Sequence, residues 1–65
     1  MIEQFLELMR EYPVGTQVQC GFDGHWEDDI VVGYRVSGDQ VYLVMSERMV
    51  HIDRVKELIR KKQGK

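Results

Sequence analysis

The apolar positions of this chain change period along its length, and each change marks an element. Over residues 2–12, IEQFLELMREY, Ile2, Phe5, Leu6, Met9 and Tyr12 recur at helical spacing, with Leu8 widening the stripe. The spacing predicts a helix over 2–12. Pro13 stops it, because the residue before a proline is driven out of the α region. Glu3, Glu7 and Glu11 form a second line at i, i+4 and i+8. Like charges at that spacing cost an isolated helix about 0.2–0.5 kcal/mol per pair. A basic neighbour would offset them, and the C-terminal helix is expected to supply it.

From residue 16 the period shortens to two. TQVQC (16–20) alternates polar and apolar and predicts a first strand, followed by a loop at Gly21, Asp23 and Gly24. DIVVGYRV (29–36) predicts a longer strand. Ile30, Val32, Tyr34 and Val36 are expected on one face, and Val31, Gly33 and Arg35 on the other. Gly33 in mid-strand predicts a bend or bulge. Ser37-Gly38-Asp39 reads as a hairpin turn. QVYLVM (40–45) then returns as a third strand, Val41, Leu43 and Met45 alternating with Tyr42 and Val44. A tight turn at 46–48 leads to a short fourth strand over 49–52. His51 stands between Val50 and Ile52, so its side chain takes the opposite face. Asp53 is the expected N-cap of a final helix over 53–62, with Val55, Leu58 and Ile59 on its buried side. The pattern is thus mainly β (α+β): a helix over 2–12, four to five antiparallel strands within residues 14–52, and a helix over 53–62. So many tight turns around a kinked strand predict a small barrel, since curling the sheet on itself removes exposed edge.

Length adds a constraint. Sixty-five residues make one domain, 1–65, which buries only about 60% of the surface its unfolded chain exposes. Cys20 is the single cysteine, so no disulfide forms within the chain. Cys20, His25 and His51 lack the paired spacing of a zinc site. No metal or cofactor is expected, and self-association into a homo-oligomer is the expected source of added stability. No apolar stretch approaches the roughly 20 residues of a membrane span. The N-terminus carries acids where a signal peptide carries bases. With an unpaired cysteine as well, a cytoplasmic protein is expected.

Charge is unevenly spread. Residues 1–53 hold ten acids and three bases (Arg10, Arg35, Arg48), a net of −7. Residues 54–65 hold six bases (Arg54, Lys56, Arg60, Lys61, Lys62, Lys65) and one acid, a net of +5. Either the tail compensates the body internally, or one of the two faces meets a charged partner.

The densest acidic tract is Glu27-Asp28-Asp29, between Trp26 and the most apolar run of the chain. Calcium loops need acids at alternate positions around a central Gly, which this tract does not keep. Paired-carboxylate hydrolysis needs two acids across a cleft, whereas neighbouring strand residues point to opposite faces. Ser37 and Ser46 sit in turns with no histidine at a supporting spacing. No catalytic residue is assigned. The tract therefore reads as a solvated strand entrance or as a recognition surface. Trp26, Glu27, Asp28 and Asp29 form that candidate surface, with Tyr34, Arg35, Tyr42 and His51 as neighbours. Tyr34 and Tyr42 are expected to pair across adjacent strands.

The run from Gly15 to Ile59 resembles the SH3-like small barrels: GTQVQC, then Trp26, Ile30 and Val31, a turn, VYLVM and VHI occur in order. Within that class, Gly15, Val18, Trp26, Ile30, Val31 and Tyr34 resemble the plasmid-borne type II dihydrofolate reductases. That resemblance implies a tetrameric pore binding folate and nicotinamide through residues that fall on His51, Ile52 and Asp53. Two of the three differ from the family's glutamine, isoleucine and tyrosine, and no base stands at Cys20 or Gly21, where the family carries its cofactor-binding lysine. A second resemblance is to Sm-like RNA-binding proteins. FLELMREYPV is similar to their leading helix and MVHIDRVKEL to the apolar spacing of a later segment. It implies rings and RNA contact, for which Arg54, Lys56, Arg60, Lys61 and Lys62 are the candidates here. Fold alone does not supply function. The functional expectation is a non-enzymatic interaction module that binds a protein partner through its acidic, aromatic surface. Small acidic chains of this kind resemble accessory proteins of phages and mobile elements.

Overall fold

The computed structural model describes residues 2–62; Met1 and 63–65, with Lys65 of the basic tail, lie outside the described residues. Helix α1 (Ile2–Glu11) is followed by strands β1 (Gln17–Phe22), β2 (His25–Ser37), β3 (Gln40–Met45) and β4 (Met49–His51). Helix α2 (Ile52–Leu58) and a last strand, β5 (Ile59–Lys61), complete the chain. The five strands form one antiparallel sheet in the order β4-β3-β2-β1-β5.

β2 is the spine. Its first half pairs with β1, Gln17 opposite Ile30 through Phe22 opposite His25, and its second half pairs with β3, Val31 opposite Met45 through Ser37 opposite Gln40. The register slips between Val31 and Gly33, the site where a mid-strand glycine predicts a bulge. The extra residue changes which side chains face inward. Before it, Asp29 and Val31 lie on the core side, paired with Val18 and Met45; after it, Tyr34 does, paired with Leu43, while Val36 stands opposite Val41 at the sheet's end and stays exposed. The expected single face of Ile30, Val32, Tyr34 and Val36 is therefore corrected. Ile30 and Val32 are exposed and belong to the outer side. Tyr34 stands opposite Leu43 and Tyr42 opposite Arg35, so the expected Tyr34–Tyr42 pair is not formed.

The turns follow their glycines. Gly24 (φ +86°) and Gly38 (φ +62°) take the left-handed region in the β1–β2 and β2–β3 hairpins. The first turn is tighter than the sequence predicts, so β1 runs on to Phe22 and β2 starts at His25. The acidic tract lies within the sheet and not at its mouth.

The C-terminal element is the largest correction. The helix expected over 53–62 ends at Leu58, and Ile59–Lys61 pair with β1. Ile59 serves both elements: its N–H donates to the Val55 carbonyl while its Cα stands opposite Cys20. The apolar residues read as one helical face, Val55, Leu58 and Ile59, do reach the core. The expected cap, Asp53, lies one residue inside the helix. His51 caps α2, its Nδ1 accepting from the Asp53 N–H at 3.1 Å. The neutral ring then carries its proton on Nε2 and donates to Gln40 Oε1.

The core gathers Val18 and Cys20 of β1, Val31 of β2, and Val41, Leu43 and Met45 of β3. Val50, Val55, Ile59 and a single α1 residue, Leu8, complete it. Phe5 of α1 and Tyr12, just past its end, pack beside it; Phe5 meets Tyr34 edge to face at 5.9 Å, and the Tyr34 hydroxyl donates to the Tyr12 carbonyl at 2.6 Å. No ion pair joins the α1 glutamates to α2 among the described residues.

Candidate functional site

The strand pleat sorts the acidic tract. Glu27 and Asp29 stand opposite Cys20 and Val18 and share the core side; Trp26 and Asp28 stand opposite Gly21 and Gln19 and share the outer side. Each set has its own base.

On the core side, Arg48 of the β3–β4 turn reaches back across the sheet. Its Nη2 meets Glu27 Oε1 at 3.0 Å and its Nε lies 3.5 Å from Asp29 Oδ2. The Asp29 side chain is 1% exposed and the Glu27 side chain 58%. The buried carboxylate spends its other oxygen on the Ile30 N–H at 2.8 Å. Asp29 Oδ2 and Arg48 Nη1 are buried without a hydrogen bond among the described residues. The Phe22 ring lies 5.4 Å from the guanidinium. Beneath this plug the Cys20 thiol donates to Met45 Sδ at 3.5 Å, and burial pushes the thiol pKa up against the opposing pull of Arg48. The arrangement closes one end of the core with charge. It does not present two free carboxylates to a substrate.

On the outer side lies a different constellation. The Trp26 ring rests flat over β1, and a Cβ on Gly21 would come within 2.9 Å of it, so glycine makes room for the indole. Arg60 of β5 stacks above the ring, its guanidinium 4.0 Å from the centroid, while Arg60 Nε donates to Gln19 Oε1 at 3.0 Å. Asp28 accepts from Lys62 Nζ at 3.1 Å and from Gln19 Nε2 at 3.2 Å. Those two hydrogen bonds hold its carboxyl below the usual carboxylate range. Trp26 remains 42% exposed. The indole, Gln19, Asp28, Arg60 and Lys62 thus form a braced platform whose parts come from β1, β2 and the β5 segment.

The remaining candidates lie elsewhere. Arg35, Tyr42 and His51 form a row across β2, β3 and β4, with Tyr42 and His51 edge to face at 5.2 Å. Tyr34 is engaged by α1 on the core side. The recognition surface expected as one unit is therefore divided: Trp26 and Asp28 in the platform, Glu27 and Asp29 in the Arg48 plug, Arg35, Tyr42 and His51 in the second row. The basic residues are likewise separated by the pleat. Arg60 and Lys62 join the platform, Lys61 lies 5.4 Å from the Tyr12 ring, and Arg54 pairs with Glu57 at 3.1 Å. A groove lined by Glu11, Tyr12, Lys56 and Lys61 runs between α1 and β5. The sequence reading missed Arg48, Gly21 and Gln19. None of these carried a local signal; Gly21 meets Trp26 only through the β1–β2 register.

No cluster of three or more metal-ligating side chains occurs among the described residues, and none of their helices is long and apolar enough to cross a membrane. Comparison with protein-family models, with curated proteins and with solved structures finds no match for this chain.

Proposed function

We propose that this chain is a non-enzymatic interaction module that docks a protein partner on the Trp26–Arg60 platform. One observation carries the reading. A tryptophan is held flat, braced by a glycine beneath and an arginine above, and still left 42% exposed. Tryptophan and arginine dominate the energetics of protein interfaces, and a side chain already fixed in place loses little entropy on binding. Asp28 and Lys62 supply an opposite-charge pair at the rim. The acidity of the body is a weaker attraction, because Arg48 and Lys62 occupy the tract.

The fold is read as an SH3-like barrel. In support, the sheet order is a meander with β5 added beside β1, and β2 serves both halves around a bulge.

A second reading is single-stranded nucleic acid on the groove beside the platform, favoured by Lys56, Lys61 and Tyr12 lining it with Arg60 and Lys62 alongside. The test compares the wild-type chain, Trp26→Ala, Arg60→Glu and the control Asp39→Ala as baits in a cell extract. Bands that the wild type and control retain and both platform variants lose support docking. Bands indifferent to Trp26 and Arg60 refute it. Binding of a labelled RNA oligomer that weakens steeply with salt and vanishes in Lys56→Gln/Lys61→Gln would favour the second reading.

A further inference from the structure

α1 carries two apolar faces where a helix lying on a core needs one. Phe5 and Leu8 take the inward face, which Tyr12 continues just past the helix end. Ile2, Leu6 and Met9 form a second stripe at i, i+4 and i+7, and they are 70%, 51% and 39% exposed. Gln4, Glu7 and Glu11, on the other side of the helix, line a groove against α2. The stripe therefore looks away from α2 and is unused among the described residues. Its spacing is that of a helix–helix seam.

The charges beside the seam select what covers it. Glu3 and Arg10 flank it on one side, one near each end, and neither has an ion pair among the described residues. A helix of 10 residues is about 15 Å long. An antiparallel copy centred on Leu6 brings residue 3 of one helix level with residues 9–10 of the other. Glu3 then stands beside Arg10 of the other copy, twice, by symmetry. A two-fold interface must be self-complementary, and this stripe is, both in apolar spacing and in charge.

We propose that α1 is a self-association face: a second copy of this chain lays its own α1 antiparallel along Ile2, Leu6 and Met9, with reciprocal Glu3–Arg10 pairs. The face is small beside a standard interface, so the dimer is weak and its mass depends on concentration. It is separate from the Trp26 platform, so either can fail alone.

Sedimentation velocity across about 1 μM to 1 mM tests it. The wild type is expected to pass from one chain mass to two, and Leu6→Glu to stay at one with an unchanged far-ultraviolet spectrum. Charge exchange tests the orientation and does not rely on that variant folding. Glu3→Arg and Arg10→Glu should each weaken the dimer about fivefold, two exposed pairs being lost at once, and the double exchange should restore it. A wild type that is monomeric throughout, or a double exchange no tighter than its parents, overturns the proposal.

Discussion

Replacing Arg48 by Met tests the plug that closes the core. The substitution keeps the length of the aliphatic stem and removes the guanidinium. What remains is the Asp29 carboxylate, its side chain 1% exposed, with one hydrogen bond from the Ile30 N–H and no counter-charge. Coulomb attraction across the 3.5 Å contact is about 5 kcal/mol at an effective dielectric of 20. The Arg48 side chain is 21% exposed, so water screens part of that. Removing one partner of a buried pair costs about 3–5 kcal/mol, and the opening here places this one near 3. A chain of 65 residues has a total stability of about 3–10 kcal/mol, so the loss is a large share of it. Urea denaturation followed by Trp26 fluorescence should show a midpoint lower by about 3 M, with a slope of roughly 1 kcal/mol per molar. Adding Asp29→Asn to Arg48→Met should recover most of the loss, because the amide keeps its acceptor for Ile30 and buries no charge. Glu27→Gln should cost under about 1 kcal/mol, its carboxylate being mostly in water. If Arg48→Met costs no more than Glu27→Gln, or if Asp29→Asn fails to rescue it, the plug is not an electrostatic closure.

Three smaller outcomes are expected. His51→Ala should lose about 1 kcal/mol in the same assay, since it deletes the acceptor for the Asp53 N–H at the start of α2. Cys20 should resist alkylation in the native state at pH 8 and react fully in denaturant, because burial raises its pKa and excludes the reagent. A carboxyl-carbon NMR titration should place Asp28 below an ordinary aspartate, and Lys62→Gln should move it back up. The sign follows from linkage: a lowered folded pKa means that the Asp28–Lys62 contribution is present above the unfolded value. It is lost as pH falls through the folded one.

Elements whose determinants are local could be read from the chain, and those decided by distant partners could not. The α1 stripe with Pro13 behind it, the Ser37–Asp39 turn and the strict alternation of β3 carry their own signals. The Ile59–Lys61 segment does not. Val55, Leu58 and Ile59 fit a helical face, and only pairing with Val18, Gln19 and Cys20, some 40 positions away, turns the last three residues into a strand. Gly33 pointed to an irregularity in β2, but the inward residues after it depend on the register with β3. The platform needed β5 before Arg60 could be set over Trp26. Arg48 read as one residue of a tight turn, and nothing adjacent to it marks Asp29 as its partner. An imidazole is an uncommon helix cap, so Asp53 outranked His51 on preference alone.

The bulge in β2 gives the strand a kind of reading frame. A pleat has two phases, inside and outside, and the extra residue beside Gly33 shifts the chain from one to the other halfway along. Insertions or deletions of two residues within β2 keep the phase; changes of one residue reverse it for everything between the lesion and the next turn. The bulge itself is the exception: deleting Val32 takes out the extra residue, keeps Gly33 opposite Val44 and Tyr34 opposite Leu43, and leaves Arg35 on the outer side of a now regular strand. A length scan of this strand should therefore alternate, tolerated at even changes and lost at odd ones, except for a one-residue deletion at the bulge.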